Sequence, residues 1–234
     1  MFPLRDNIAT RRFPVVNLWL IIVNVACFAY EFMLGGGLGS FIQQYGFVPA
    51  RFMVAQTENI FDLSRFLPVF SSMFLHGGIL HLISNMWMLW IFGDNVEDSM
   101  GHGRYLFFYL FCGAVSVFAQ AGADPASPVV MVGASGAISG ILGAYFLLYP
   151  RARILTLIPI FILFYTVELP AYIFLGLWIV LQLLKGYAYL LNTGGAATDG
   201  VAWWAHIGGF AAGVLLINVF KEKSKVKGFK RLQF

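Results

Sequence analysis

Apolar runs of 15 to 20 residues, almost free of charge, recur six times along this chain, and no other feature restricts its fold so strongly. A helix needs about 20 mostly apolar residues, rising about 1.5 Å each, to cross the ~30 Å hydrocarbon core of a bilayer. The runs are Val15 to Leu34, Gly78 to Phe92, Tyr105 to Ala121, Gly133 to Tyr149, Glu168 to Leu184 and Ala202 to Phe220. Breaks such as Gly35-Gly36-Gly37, Gly93-Asp94-Asn95 and Pro150-Arg151 close three of them. Charged residues are only 11% of the chain, against roughly 25% in a soluble domain. A water-soluble fold of this size cannot hide a sequence that is 59% hydrophobic. The expectation is therefore an all-α polytopic membrane protein with six transmembrane helices. It divides into a short segment 1–14, a six-span domain 15–220 and a basic tail 221–234. A further apolar stretch, Ile154 to Thr166, is interrupted by Pro159 and reads as a membrane-associated connector.

Six spans leave both termini on one side, and the cations indicate which. With the N-terminus inside, Arg5, Arg11, Arg12, Arg104, Arg151, Arg153 and the six Lys/Arg of the tail are inside. Only Arg51, Arg65 and Lys185 fall outside, which the positive-inside rule favours. The pattern fits a bacterial inner (plasma) membrane with both termini cytoplasmic. The net charge of +4 does not indicate nucleic acid, because six cations crowd the last fourteen residues and no basic stripe alternates with aromatics. A tail beside anionic headgroups accounts for it. Cys27 and Cys112 lie in apolar runs and read as packing residues. The first run is long enough to span and lacks a small-residue cleavage site, so it does not read as a signal peptide. The first outer loop, about Leu38 to Phe70, is too long for a plain connector and reads as short helices in the outer interface.

Polar groups within spans are costly and point to function. Span two carries His81 and Asn85 four residues apart on one helix face, with His76 just before it. Span four opens with Gly133-Ala134-Ser135-Gly136, and span six contains Ala205-His206-Ile207-Gly208-Gly209. Ser135, His206 and His81 lie two, four and three residues past the outer starts of their runs, so they share a depth to within about one helical turn. Small residues recur every fourth position in span four (Ser135, Ser139, Gly143; Gly136, Gly140, Ala144) and in span six (Gly209, Gly213). Such faces let helices approach closely, which would bring Ser135 to His206.

A serine beside a histidine is the minimal pair of nucleophile and base. His81, Asn85 and backbone N–H groups at the start of span four could stabilise an oxyanion. With Asp124 and Asp199 in outer loops and Glu168 near the inner face, no carboxylate completes a triad, and the reading is a dyad. Asp94, Glu97 and Asp98 read as a solvated inner loop, with Glu97 capping the third helix or holding Arg104. The spacing of His76 and His81 places them on different faces with no Cys or carboxylate beside them, so no metal site is expected. Taken alone, Ser135 could simply bond to its own helix backbone, and its Gly-x-Ser-Gly context is not the nucleophile elbow of soluble hydrolases.

Taken together, His76-Gly-Gly-Ile-Leu-His81-Leu-Ile-Ser-Asn85, Gly133-Ala-Ser135-Gly136 and Ala205-His206-Ile-Gly-Gly209-x-x-x-Gly213 resemble the rhomboid intramembrane serine proteases. The resemblance covers about residues 65 to 213. It implies a rhomboid-like bundle with a partly submerged first outer loop and a mobile fifth span. Ser135 would be the nucleophile and His206 its base, with Asn85, His81 and the Ser135 N–H as the oxyanion hole. Glu97 would steady the inner helix ends. The implied partners are single-pass transmembrane proteins, cut near the outer face, and the lipid bilayer; no cofactor is implied, and the oligomeric state stays open. Two positions depart from the family pattern. Ser64 precedes Arg65 where a Trp is frequent, and Ser139 stands where many members stack an aromatic on the histidine. Two other readings stay open. One is a silent relative that binds membrane proteins; the other is a transporter with His206 as proton relay, which would want carboxylates at the midplane.

Overall fold

The computed structural model describes residues 1–58, 63–161, 163–191 and 201–222. Residues 223–234, most of the expected basic tail, lie outside them. Helices stand at all six apolar runs: α1 (Val15–Met33), α5 (Ile79–Met100), α6 (His102–Ala123), α7 (Ser135–Leu148), α8 (Ala171–Leu191) and α9 (Trp203–Phe220). The long loop between the first two apolar runs holds three short helices, α2 (Leu38–Tyr45), α3 (Pro49–Glu58) and α4 (Leu67–Ser71). By length and composition α1, α6, α8 and α9 can each cross a membrane. The helical stretch Leu63–Phe74 and α5, which meet at 82°, together make a fifth candidate. Helix α7 has only 14 residues.

Packing follows from which helices are apolar on every side. Residues Gly136 to Tyr145 of α7 are all buried, and a helix without a polar face belongs at the centre. α5, α6 and α9 surround it, while α1 and α8 lie at the periphery with wide apolar faces exposed, as lipid contact requires. The α7–α9 contact is backbone to backbone. A Cβ built on Gly213 would fall 1.9 Å from the Gly140 carbonyl oxygen, and one on Gly143 2.2 Å from that of Phe210. The small-residue faces therefore do pack against each other. α6 closes the third side, with Ser116 and Cys112 filling the space where Gly136 and Gly140 lack side chains.

The structure corrects three expectations. The stretch Ile154 to Thr166 is a β-hairpin, β2 (Arg153–Ile160) and β3 (Leu163–Pro170), and β1 (Phe2–Asp6) pairs antiparallel with β2 to make a three-stranded sheet. Its Ile, Leu, Val, Tyr, Phe and Thr content suits strands. Pro159 pairs only with Phe164, beyond the reach of β1, where a missing N–H disrupts no second ladder. Glu168 is accordingly in β3, and the fifth helix starts at Ala171 and runs seven residues past Leu184, with Lys185 inside it.

The third correction concerns span two, which does not stop at Phe92 but continues through Gly93-Asp94-Asn95 to Met100. Glu97 and Asp98 are buried, not in a solvated loop. The Asp98 carboxylate accepts the backbone N–H groups of Arg11 and Arg12 at 3.3 and 3.2 Å. Glu97 accepts those of Val16 and Asn17 at 3.0 and 2.7 Å, satisfying orphan donors at the start of α1, and also contacts His102 Nδ1. It thus caps the first helix rather than the third, and Arg104 instead approaches the Phe220 carbonyl.

Candidate active site

Ser135 is the first residue of α7, and the turn that delivers it is specific to its sequence. Gly133 has φ +124°, a conformation that side chains strongly disfavour, and its N–H donates to the Ser72 carbonyl at 2.9 Å. Upstream, Met131 and Phe47 exchange both backbone hydrogen bonds, which ties the incoming segment to the long loop between α1 and α5. Glycine is needed at 133 for space as well. A Cβ there would lie 2.6 and 2.7 Å from His81 Cε1 and Nε2 and 3.5 Å from Asn85 Nδ2. The His81 and Asn85 side chains therefore face the backbone that immediately precedes Ser135.

From the other side comes His206, the fourth residue of α9. Its Nε2 is 2.8 Å from Ser135 Oγ, and its Nδ1 is 2.8 Å from Oε1 of Gln182 on α8. The Trp178 and Trp203 rings stand 6.0 and 6.2 Å from the imidazole, so this chain flanks its histidine with aromatics from α8 and α9. Ser139, at the position where relatives of the motif place an aromatic, donates its hydroxyl to the Ser135 carbonyl one turn back at 2.6 Å. Gly209 lets α9 reach this depth: a Cβ on it would lie 2.1 Å from the Gly136 carbonyl oxygen.

Asn85 is 6% exposed, and its Nδ2 has no hydrogen-bond partner among the described residues. A buried, unsatisfied donor is costly in a native fold, so its position beside the serine turn suits an acceptor that arrives with a bound molecule. His76 stands apart from this group. It is buried, its backbone N–H donates to the Glu31 carboxylate, and its ring contacts that of His81, 5.2 Å away. Among the described residues no group of three His, Cys, Asp or Glu side chains comes together in a way that could hold a metal ion.

The structure thus gathers Ser135, His206, His81, Asn85, Gly133, Gly136 and Gly209 at one end of the bundle. Gly213 lies one helical turn deeper, His76 sits behind His81, and Glu97 is at the opposite end of α5 from His81. The sequence reading assigned intramembrane polar residues to three spans only and passed over the rest. Gln182, one polar side chain in the fifth apolar run, went unassigned, as did Asn17, Asn24 and Glu31 in the first, all of them buried. The rule that marks polar residues within spans would have flagged each of them.

A hydroxyl held to an imidazole, beside the buried amide of Asn85 whose Nδ2 has no partner among the described residues, is an arrangement suited to acyl transfer. Comparison with known proteins agrees with the architecture. Residues 63–223, well over half of the chain, match the model of the Rhomboid domain, and the chain belongs to the rhomboid family of membrane proteins. It is 33% identical over 119 residues to presenilin-associated rhomboid-like protein A, mitochondrial, of Danio rerio, which covers 48% of this chain and 31% of that one. It is 46% identical over 70 residues to rhomboid protease GluP of Bacillus subtilis, 30% of this chain and 13% of that protein. RHOMBOID-like protein 1 of Arabidopsis thaliana aligns at 25% identity with 89% of this chain and 54% of its own length. The chain spans about half or less of the length of these curated relatives.

Proposed function

We propose that this chain is an intramembrane serine endopeptidase that cleaves single-pass transmembrane proteins near the outer membrane face. The observation that carries this reading is the 2.8 Å contact of Ser135 Oγ with His206 Nε2. Similarity to a protein named as a rhomboid protease supports it. In the reaction, Ser135 Oγ attacks the scissile carbonyl carbon while its proton passes to His206 Nε2. The resulting oxyanion takes hydrogen bonds from Asn85 Nδ2, from His81 and from the Ser135 N–H at the open start of α7. Collapse of the tetrahedral species breaks the C–N bond, and His206 gives its proton to the departing amine. Water, deprotonated in turn by His206, then hydrolyses the acyl-serine.

In this reading all six helices lie across the bilayer, α7 through only part of its thickness, both termini are cytoplasmic and the site end of the bundle opens outward. The exposed apolar faces of α1 and α8 meet lipid, as does the uncharged distal half of the β2–β3 hairpin. No nucleic acid, metal or cofactor takes part.

Fluorophosphonate labelling of the detergent-purified protein tests the reading, because the probe reports an activated serine without knowledge of the substrate. Wild type labels, while Ser135→Ala and His206→Ala do not. Folded wild type that stays unlabelled in both detergent and liposomes would replace the proposal with a binding role. Labelling that persists in Ser135→Ala would move the nucleophile elsewhere.

A further inference from the structure

Among the described residues, the His206 ring has one side-chain hydrogen-bond partner besides Ser135, and it comes from a third helix. Gln182 is 7% exposed, so little water competes for its amide. Its Nε2 donates to the Trp178 carbonyl, one turn back on α8, at 3.3 Å, and its Oε1 faces His206 Nδ1 at 2.8 Å. The opposite amide orientation would turn Oε1 against the Trp178 carbonyl oxygen, acceptor against acceptor. An amide oxygen has no proton to give, so the proton of this second contact must sit on His206 Nδ1. Neutral imidazole carries one N–H, which leaves Nε2 as a bare lone pair directed at the Ser135 hydroxyl.

We propose that Gln182 is a positioning residue that fixes His206 in the Nδ1-protonated tautomer and so completes a Ser135–His206–Gln182 relay. The inference rests on the serine-protease reading above and extends it from a dyad to a triad with a neutral third member. A neutral amide suits this depth. A carboxylate would stabilise the protonated imidazole more strongly, but it carries a desolvation penalty within an apolar bundle. Once His206 has taken the serine proton, Nδ1–H still points at the Gln182 oxygen, whose dipole favours the imidazolium. The relay also joins two helices with different neighbours. α9 is locked to α7 by glycine contacts, whereas α8 packs mainly on α9 and barely meets α7. The orientation of the base therefore depends on where α8 lies against α9.

The test uses full-length protein with 15N-labelled histidine, comparing wild type with Gln182→Met and Gln182→Glu. Met keeps the length and apolar stem but cannot accept the Nδ1–H; Glu keeps an acceptor there. In wild type the His206 nitrogen shifts report Nδ1–H. In Gln182→Met the Nε2–H form becomes populated and fluorophosphonate labelling slows at least about ten-fold. Gln182→Glu retains the Nδ1–H tautomer and labels at least several-fold faster than Gln182→Met. The proposal is overturned if Gln182→Met keeps the wild-type tautomer, whatever its labelling rate, since any loss would then be one of packing. Should Gln182→Met not fold, Gln182→Leu takes its place with the same two outcomes. The tautomer is read independently of labelling, so an unlabelled wild type sinks the protease reading without deciding this one.

Discussion

Gly209 on α9 stands so close to Gly136 on α7 that a Cβ built on it would lie 2.1 Å from the Gly136 carbonyl oxygen. Gly136 follows Ser135, and Gly209 is one turn past His206, so the packing distance of the two helices also sets how closely His206 approaches Ser135. Gly209→Ala must push the helices apart. A displacement of about 1 Å at a reacting pair can cost about 100-fold in rate, and overpacking costs about 1–3 kcal/mol. Labelling rates and thermal melts of Gly209→Ala should both fall. A destabilised variant that labels at the wild-type rate would show that packing and chemistry are uncoupled.

Asn85 should separate activity from stability in the opposite way. Its Nδ2 bonds nothing among the described residues, so Asn85→Ala breaks no hydrogen bond of the resting fold. Its melting temperature is expected to hold or rise, because an unsatisfied buried donor is removed. Under the proposed protease function, turnover of a model transmembrane substrate should drop about 100- to 1,000-fold, the usual effect of deleting an oxyanion donor. Unchanged turnover would remove Asn85 from the oxyanion hole.

Glu97 shows the converse. Its carboxylate holds the N–H groups of Val16 and Asn17, some 80 residues away in sequence, at the opposite end of α5 from His81. Glu97→Ala leaves both donors without this acceptor, that of Asn17 buried and that of Val16 partly so, and should cost about 2–4 kcal/mol, with Glu97→Gln recovering part of it. The fraction that remains folded should label normally, measured as rate per folded molecule. Slow labelling of that fraction would mean the two ends of α5 communicate.

Asp6 supplies a pH dependence. Burial raises its carboxyl from 3.8 to about 6, although hydrogen bonds from Tyr145 and from backbone N–H groups pull the other way. The folded chain therefore binds a proton that the unfolded chain releases, and stability declines as pH rises from about 4 to about 6, then levels off. The loss is of the order of 1–3 kcal/mol. Since other groups titrate in this window, the quantity to follow is the melting temperature of wild type minus that of Asp6→Asn. A difference that stays flat from pH 4 to 7 would contradict it.

What could be read in advance followed from local rules. Ser135, His206, His81 and Asn85 are conspicuous as polar groups in apolar runs; the offsets of Ser135, His206 and His81 from the run starts match, and Asn85 shares a helix face with His81. The glycine spacing of spans four and six announced the α7–α9 contact because a period of four residues is one helix face. What escaped depended on partners distant in the chain. Gln182 has a recognisable residue type, yet only the packing of α8 on α9 reveals that it meets Nδ1. Glu97 and Asp98 looked like loop acids because the helix N-terminus and the backbone they satisfy come from residues 11 to 17. The composition of the Ile154 to Thr166 stretch suits a strand, but Pro159 within it reads as a break, and its pairing partner Phe2–Asp6 is about 150 residues away in the chain.

The fourteen residues of α7 measure about 21 Å along the axis, against a hydrocarbon core of about 30 Å. In the crossing arrangement proposed above, the helix that begins with Ser135 is too short to reach from one membrane surface to the other. Its length then works as a ruler. Under the proposed function, its length counted from the cytoplasmic interface sets the height at which a peptide bond can be attacked. The same substrate carrying one extra helical turn on the cytoplasmic side of its cleavage point would then present a different bond to Ser135.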